Sequence, residues 1–346
     1  MHSIDPFGPE LASPVEAPAS PEVLDSQTEF EDAGPALAQV NARRGIPQRA
    51  IQRDHAAILE MDVHTPAGKY LEARSRRAVR RGDRVYLPIW SADTTGLPTA
   101  LLRSSLWSAG STANRHLDNA LIANFDDDIG VRYTGPRLSQ YDRRVFAALL
   151  ASYADRPLSR GQGDAAIEAT FFELARVMGN SYTRNTHVAL RASLHRQSHA
   201  SLRIRDFYGD AVVPQLLDVW LPENYLVIPD EELKSSDKFE FRIPEEVAQL
   251  YGPTAWSEVP TPVLVMKSLR GWLSGFLATH TWPQTFPFAV LHRISGLDCR
   301  PNDFRARVCA ALDELCDERT PIAFRVHGYE VSEGQDGITI KLAKWG

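Results

Sequence analysis

The stretch of this sequence best equipped for chemistry is a run of arginines without acidic neighbours. Six arginines and no aspartate or glutamate lie between Leu174 and Arg205. Guanidinium groups bind phosphate oxygens and the edges of guanine bases, so this run favours nucleic-acid binding. The residues expected to contact DNA in this region are Arg184, Asn185, Arg191, His195, Arg196, Arg203 and Arg205.

Two helices and a hairpin are predicted to position these residues. Asp164 and Thr183 are expected to cap the helices, and Gly179 suits the left-handed residue that ends the first of them. The predicted elements are a helix from Asp164 to Met178, a helix from Thr183 to about Ser198, and strands at Ser201–Phe207 and Val212–Leu221. A short turn between two helices, followed by a hairpin, is the order of a winged-helix domain.

The same order of elements recurs towards the C-terminus. The predicted elements are helices at Pro262–Thr279, Phe288–Ile294 and Asn302–Cys316, with a hairpin formed by Ile322–Glu330 and Ile338–Lys344. Arg300, Arg305 and Arg307 are the DNA-contact candidates of this second unit. The sequence therefore predicts an α+β protein with two tandem winged-helix domains, at residues 85–242 and 243–346.

Two further segments precede these domains. Residues 1–40 hold eight acidic residues, six prolines and no lysine or arginine, which is typical of a disordered tail, predicted here for residues 1–55. A basic linker is predicted for residues 56–84, with six arginines between Arg74 and Arg84. The whole chain has a net charge of −6, and residues 1–40 contribute −8 of it. The 306 residues after position 40 therefore carry about +2, the difference between −6 and −8. Next, Arg84–Trp90 is predicted as a strand and Leu97–Trp107 as a helix.

Composition and the absence of targeting signals predict a cytoplasmic protein. No stretch has the roughly 18 to 20 apolar residues of a membrane span, and no secretory signal is expected. The three cysteines, an odd and low number, suit a reducing compartment.

Catalytic and metal-binding motifs are not found. The sequence has no His-x-His pair, as a DNA-nicking initiator would need, and no phosphate-binding loop for ATP. His195 and His199 have the spacing of zinc ligands on a helix, but a third ligand is not evident. We therefore expect no catalytic residues, no metal and no cofactor.

Several short motifs in a fixed order resemble the TrfA family of plasmid replication initiators. They are Leu87-Pro88-Ile89-Trp90, Leu97-Pro98 with Leu102-Arg103-Ser104, Val131-Arg132-Tyr133-Thr134-Gly135, Leu269-Arg270-Gly271-Trp272-Leu273 with Phe276 and His280, Asp303-Phe304-Arg305, and Ala310-Ala311-Leu312-Asp313-Glu314-Leu315. The resemblance covers residues 84 to 346 and implies binding to double-stranded origin repeats, called iterons, and local origin opening. It also implies recruitment of the host initiator, replicative helicase and sliding clamp, and self-association as a dimer that limits copy number.

The sequence departs from this family at two places. A clamp-binding pentapeptide is not found, and the nearest segment, Gln215–Trp220, lies in a predicted strand. The second recognition helix has alanines, Ala306 and Ala310, at outward positions, so the arginines lie only at its flanks. A winged-helix repressor of a plasmid operon is the alternative function, because it would use the same helices.

Overall fold

The computed structural model describes residues 87–343 apart from 89, 92, 111–114, 127–128, 155, 160–165, 207–208, 222–227, 252–254, 281–282 and 335. The predicted tail at 1–55 and basic linker at 56–84 lie outside the described residues. Helices and short sheets alternate along the described chain, so the mixed α and β class is confirmed. The tandem winged-helix interpretation stays a prediction.

The first part of the described chain joins helices to strands from several sheets. Its elements are β1 (Thr94–Pro98), α1 (Thr99–Leu102), β2 (Trp107–Ser108), β3 (His116–Asp126), β4 (Ile129–Pro136), β5 (Leu138–Ser139), α2 (Gln140–Leu150), β6 (Ile167–Thr170), α3 (Phe171–Val177), α4 (Arg184–Ser198), β7 (Ser201–Asp206), β8 (Gly209–Val213) and β9 (Asp218–Trp220). A 3-10 turn, Ala151–Tyr153, extends α2.

The second part begins with a short acidic 3-10 turn, Asp230–Glu232. Its other elements are β10 (Lys238–Arg242), a 3-10 helix at Glu245–Leu250, β11 (Trp256–Pro260), α5 (Thr261–Val265), α6 (Ser268–Ala278), β12 (Gln284–Pro287), α7 (Phe288–Ser295), α8 (Pro301–Cys316), β13 (Val326–Val331) and β14 (Gly337–Leu342).

One arrangement of six elements occurs twice. Module 1 consists of α2, β6, α3, α4, β9 and β10, and module 2 of α6, β12, α7, α8, β13 and β14. Each has the order helix, strand, helix, helix, strand, strand. In each, the last strand lies in the middle of a three-stranded antiparallel sheet, β6-β10-β9 in module 1 and β12-β14-β13 in module 2. The two modules therefore share both element order and strand order.

A separate four-stranded sheet accompanies module 1. Its strand order is β3-β4-β7-β8, with all neighbours antiparallel. The β7–β8 hairpin follows α4 and precedes β9, so it interrupts module 1 between its third helix and its second strand. Module 2 has no strand at the equivalent place, residues 317–325, between α8 and β13. The hairpin that the sequence predicted as a wing is thus an insertion that pairs with β4.

The modules meet around a buried arginine. Arg143 of α2 is almost completely buried, and its two Nη atoms donate to the carbonyl oxygens of Gly271 (3.1 Å) and Val263 (2.9 Å). Burial lowers the pKa of this guanidinium. Strand β1 also pairs with β11, across the predicted boundary at residue 242. Apolar side chains from both modules belong to one continuous core.

Two predicted strands differ from the structure. Predicted strand Val212–Leu221 is divided into β8 and β9, which lie in different sheets. In predicted strand Arg84–Trp90, the described residues 87, 88 and 90 are not part of a strand.

Three further predicted elements differ. Residues 167–170 form β6 rather than a helical turn, since they pair with β10, and Thr170 caps α3 in place of Asp164, which lies outside the described residues. Leu97–Trp107 was predicted as a helix, but Leu97 and Pro98 belong to β1, and only Thr99–Leu102 is helical. Predicted helix Pro262–Thr279 is divided into α5 and α6 at Met266 and Lys267, because Met266 is extended.

Candidate nucleic-acid interface

Helix α4 exposes polar residues mainly at its N-terminal end. Gly179 has a φ of 70°, which ends the turn after α3 as the sequence predicted. The Thr183 side chain then accepts a hydrogen bond from the Thr186 backbone at 3.1 Å, which fixes the start of α4 at Arg184. Arg184 and Asn185 follow and are exposed. The first turn therefore presents a guanidinium and an amide to solvent.

The opposite face of α4 is fully packed. Its buried residues are His187, Leu190, Ser193, Leu194 and Gln197. The His187 ring stacks on Phe171 of α3 with centroids 4.0 Å apart, and its Nδ1 lies 2.6 Å from the Tyr182 hydroxyl. Burial lowers the pKa of His187, which keeps the ring neutral. The stacked rings join α3 to α4, a contact between two segments that no local sequence pattern predicted.

Arg191 lies in the middle of α4 and is bonded to another part of the chain. Its Nη1 donates to the Ile228 carbonyl oxygen at 3.2 Å, and its Nη2 lies 2.9 Å from Asp230 Oδ1. Only 11% of the Arg191 side chain is exposed. The turn Asp230–Glu232 packs against α4 at this place. Arg191 is therefore not part of the exposed surface that Arg184 and Asn185 form at the start of the helix.

Arg196 is also bonded inside the protein. Its Nη2 lies 2.7 Å from Asp142 Oδ1, and its Nε donates to both carboxylate oxygens at 3.2 and 3.3 Å. Asp142 is fully buried and also accepts bonds from the Ser139 backbone and the Ser193 hydroxyl. Asp142 therefore stabilises the start of α2 and attaches the C-terminal half of α4 to it.

His195 is half-buried and lies beside His199, with ring centroids 4.5 Å apart. The pKa of His195 is lowered, first by burial and then by the nearby His199 and Arg196. Among the described residues, no group of three or more histidine, cysteine, aspartate or glutamate side chains could hold a metal ion. The lowered pKa favours a neutral His195 ring at the C-terminal end of α4.

Module 2 places its candidates around the start of α8. Arg300 is the exposed N-cap residue of this helix, and Arg307 is exposed two turns further on. Arg305 is partly buried, with its guanidinium 5.6 Å from the Phe288 ring centre. At the other end of α8, Glu314 binds Arg270. The basic residues of α8 therefore lie towards its N-terminal half.

Arg203 and Arg205 lie on β7 of the four-stranded sheet, and both are exposed. These two predicted DNA-contact residues lie on a strand. The nearest segment to a clamp-binding peptide, Gln215–Trp220, has both of its leucines, Leu216 and Leu217, completely buried. A partner protein could not contact those side chains in this structure.

Within the described part of the chain, no helix is long and apolar enough to cross a membrane. No protein-family model matches this chain. No curated protein matches it either.

Solved structures of RctB are similar to this chain at low identity. A structure of domains 2 and 3 of RctB has 11% sequence identity and a TM-score of 0.47, over 71% of this chain and 99% of that chain. A second structure of RctB domains 2–3 has 9% identity and a TM-score of 0.42, over 70% of this chain and 95% of that one.

Proposed function

We propose that this chain is a plasmid replication initiator that binds double-stranded iterons through two winged-helix domains. The observation that carries the proposal is the repeated module, whose third helix, α4 or α8, has exposed basic residues towards its N-terminal end. Helix, strand, helix, helix and two strands is the winged-helix order, in which the third helix enters the major groove. The role in replication is proposed because the sequence motifs described above resemble those of the TrfA family.

The positive charge at the N-terminal ends of α4 and α8 supports an anionic partner. The N-terminal end of a helix carries a partial positive charge, and a cation there costs roughly 0.3 to 1 kcal/mol. Arg184 is the first residue of α4, the first turn of α4 contains no acidic residue, and Arg300 is the N-cap of α8. The first turn of α8 already contains an acidic residue, Asp303, so a phosphate would offset the dipole and the arginine charge mainly at the start of α4.

The exposed side chains also suit base recognition. Arginine reads guanine through two parallel hydrogen bonds, and asparagine reads adenine in the same way. In this proposal Arg184 and Asn185 form the base-reading pair of module 1, and Arg307, which lies further along its helix, is the base-reading candidate of module 2, with Arg300 and Arg305 on the backbone. Successive major grooves on one face are about 10 to 10.5 base pairs apart, so one protomer would cover roughly 20 base pairs.

Arg191 and Arg196 have a different role in this proposal. Each is bonded to a carboxylate of its own chain, and either would have to break that contact to reach DNA. We assign them to fixing α4 in place, and we keep His195 as a contact to the DNA backbone. Origin opening, dimer formation and recruitment of the host initiator, helicase and sliding clamp rest on the family resemblance.

A selection from random duplexes tests the proposal. Full-length protein is used to enrich 40-base-pair duplexes, and the selected sequence is compared with a scrambled one by fluorescence anisotropy. Arg184→Ala and Asn185→Ala are each expected to weaken binding to the selected duplex by about 5- to 150-fold, the equivalent of 1 to 3 kcal/mol, and to relax preference at one base. Arg270→Ala, which removes the same charge from a residue already bound to Glu314, is the matched control.

The selected sequence itself separates initiator from repressor. A non-palindromic site that binds protein in tandem direct copies supports the initiator, and one isolated palindrome contradicts it. Failure to enrich any sequence, with both α4 variants binding like the wild type, would refute base reading by this helix.

A further inference from the structure

The four-stranded sheet has an exposed row of side chains that crosses all four strands. Register places Leu121 of β3 opposite Arg132 of β4, Arg132 opposite Arg203 of β7, and Arg203 opposite Val212 of β8. All four side chains are exposed, Leu121 by 50% and Val212 by 43%. Their neighbours along the strands, such as Val131 and Leu202, are buried. The row therefore belongs to the solvent face of the sheet.

The middle of this row is an unfavourable pair of like charges. Directly opposite residues in an antiparallel pair have Cβ atoms about 4.5 to 5.5 Å apart, and like charges there are destabilising. Arg132 donates to the Asn119 carbonyl oxygen at 3.1 Å. In the part of the chain that the structure describes, no carboxylate pairs with Arg132 or Arg203. An external anion that binds both side chains would offset the repulsion.

The next pair along the same strands is polar. Thr134 lies opposite Ser201, two residues from Arg132 and Arg203, so both pairs lie on one face. The Thr134 hydroxyl accepts a hydrogen bond from the Asn119 backbone at 3.0 Å and keeps its proton for donation, and the Ser201 hydroxyl adds further hydrogen-bonding capacity beside the arginines. Two guanidinium groups, two hydroxyls and two apolar flanks match a phosphodiester backbone, in which charged phosphates alternate with apolar sugar faces.

The sheet is not required by the repeated module. Module 2 builds its own three-stranded sheet without such an insertion. Strand β7 nevertheless starts three residues after the last residue of α4, so the sheet and the helix are held together by a short connection. The segment that joins β9 to β10, where module 1 would carry its wing, contains the acidic turn Asp230–Glu232, which would repel phosphates.

We infer that the row Leu121, Arg132, Arg203, Val212 is a second DNA-binding surface that contacts the phosphate backbone without reading sequence. The inference rests on the proposed function for its partner, duplex DNA, and it assigns Arg132 a binding role. In module 1 the inserted sheet supplies the backbone contact that a wing supplies in other winged-helix proteins.

Salt dependence tests this inference apart from base reading. Full-length Arg132→Gln/Arg203→Gln protein is titrated with a scrambled 40-base-pair duplex and with the selected one, from 50 to 200 mM salt. Loss of two phosphate contacts should lower the slope of log affinity against log salt by about 1.8, so the affinity of the variant should change about 12-fold less over this range. Both duplexes should lose affinity by the same factor, whereas Arg184→Ala should affect mainly the selected one.

Two controls keep the test decisive. Arg270→Ala should leave the salt slope unchanged. Without DNA, the double glutamine variant should unfold at the same temperature as the wild type or a higher one, because a repulsive pair has been removed; a lower midpoint contradicts the like-charge interpretation. Unchanged affinity and slope on both duplexes would overturn the inference and leave an acidic protein surface as the alternative partner. If the wild-type protein shows no sequence preference, weaker binding of the double glutamine variant to the scrambled duplex still supports the sheet as a DNA-binding surface.

Discussion

Replacing Arg196 with alanine should destabilise the protein and leave direct DNA contacts intact. The Arg196 guanidinium binds Asp142 through Nη2 at 2.7 Å and through Nε at 3.2 Å. The Asp142 side chain is completely buried, and 22% of the Arg196 side chain is exposed. Truncation would therefore leave a carboxylate inside the protein without its cationic partner.

The magnitude follows from the remaining partners of Asp142. Removing one member of a buried ion pair typically costs about 3 to 5 kcal/mol. Here the carboxylate keeps its bonds from the Ser139 backbone and hydroxyl and from the Ser193 hydroxyl, and Arg196 is partly solvated. We therefore expect a loss of about 2 to 3 kcal/mol in the free energy of unfolding, or a thermal midpoint lowered by roughly 4 to 6 °C for a protein of this size.

Urea and thermal unfolding of Arg196→Ala, Asp142→Asn and the double variant measure this loss. Because the residues are in direct contact, the double variant should cost less than the sum of the single ones, with a coupling of about 0.5 to 3 kcal/mol. DNA titrations are made well below the unfolding midpoint. If Arg196→Ala keeps the wild-type midpoint and loses affinity for DNA, the ion pair is not structural and Arg196 is a DNA contact.

Two further predictions concern the core of each module. Gly275→Ala should lower stability by about 1 to 3 kcal/mol, because its Cβ would lie 2.4 Å from Arg143 Nη1, the group that joins the modules. Gly328→Ala, whose Cβ would meet no atom within 4 Å, is the control, and equal thermal midpoints for the two would contradict the clash. Burial lowers the pKa of His187, so the unfolded chain takes up a proton first and stability should fall as pH drops below about 6.5. Urea unfolding at pH 7.5 and 5.5 measures that loss of stability. If a His187→Gln variant shows the same pH dependence as the wild type, the loss comes from another residue.

Local signals in the sequence identified the elements that carry the candidate interface. Gly179 marks the end of α3 and Thr183 the start of α4, and both predictions are confirmed by the positive φ and the cap hydrogen bond. The helix that becomes α8 and the β13–β14 hairpin were also predicted to within a few residues. These features depend on caps, turns and apolar periodicity, which act within a few residues of one another.

Tertiary structure decided which arginines face solvent. Arg184, Arg191 and Arg196 share one helix, yet only Arg184 is exposed, because Asp230 and Asp142 come from distant parts of the chain to bind the other two. Strand β6 could not be predicted either, since its partner β10 is some 70 residues away. An ion pair or a pair of strands forms between two segments that are distant in the sequence. The sequence of one segment shows that a charge or a strand is present, but it does not show which distant segment will bind it.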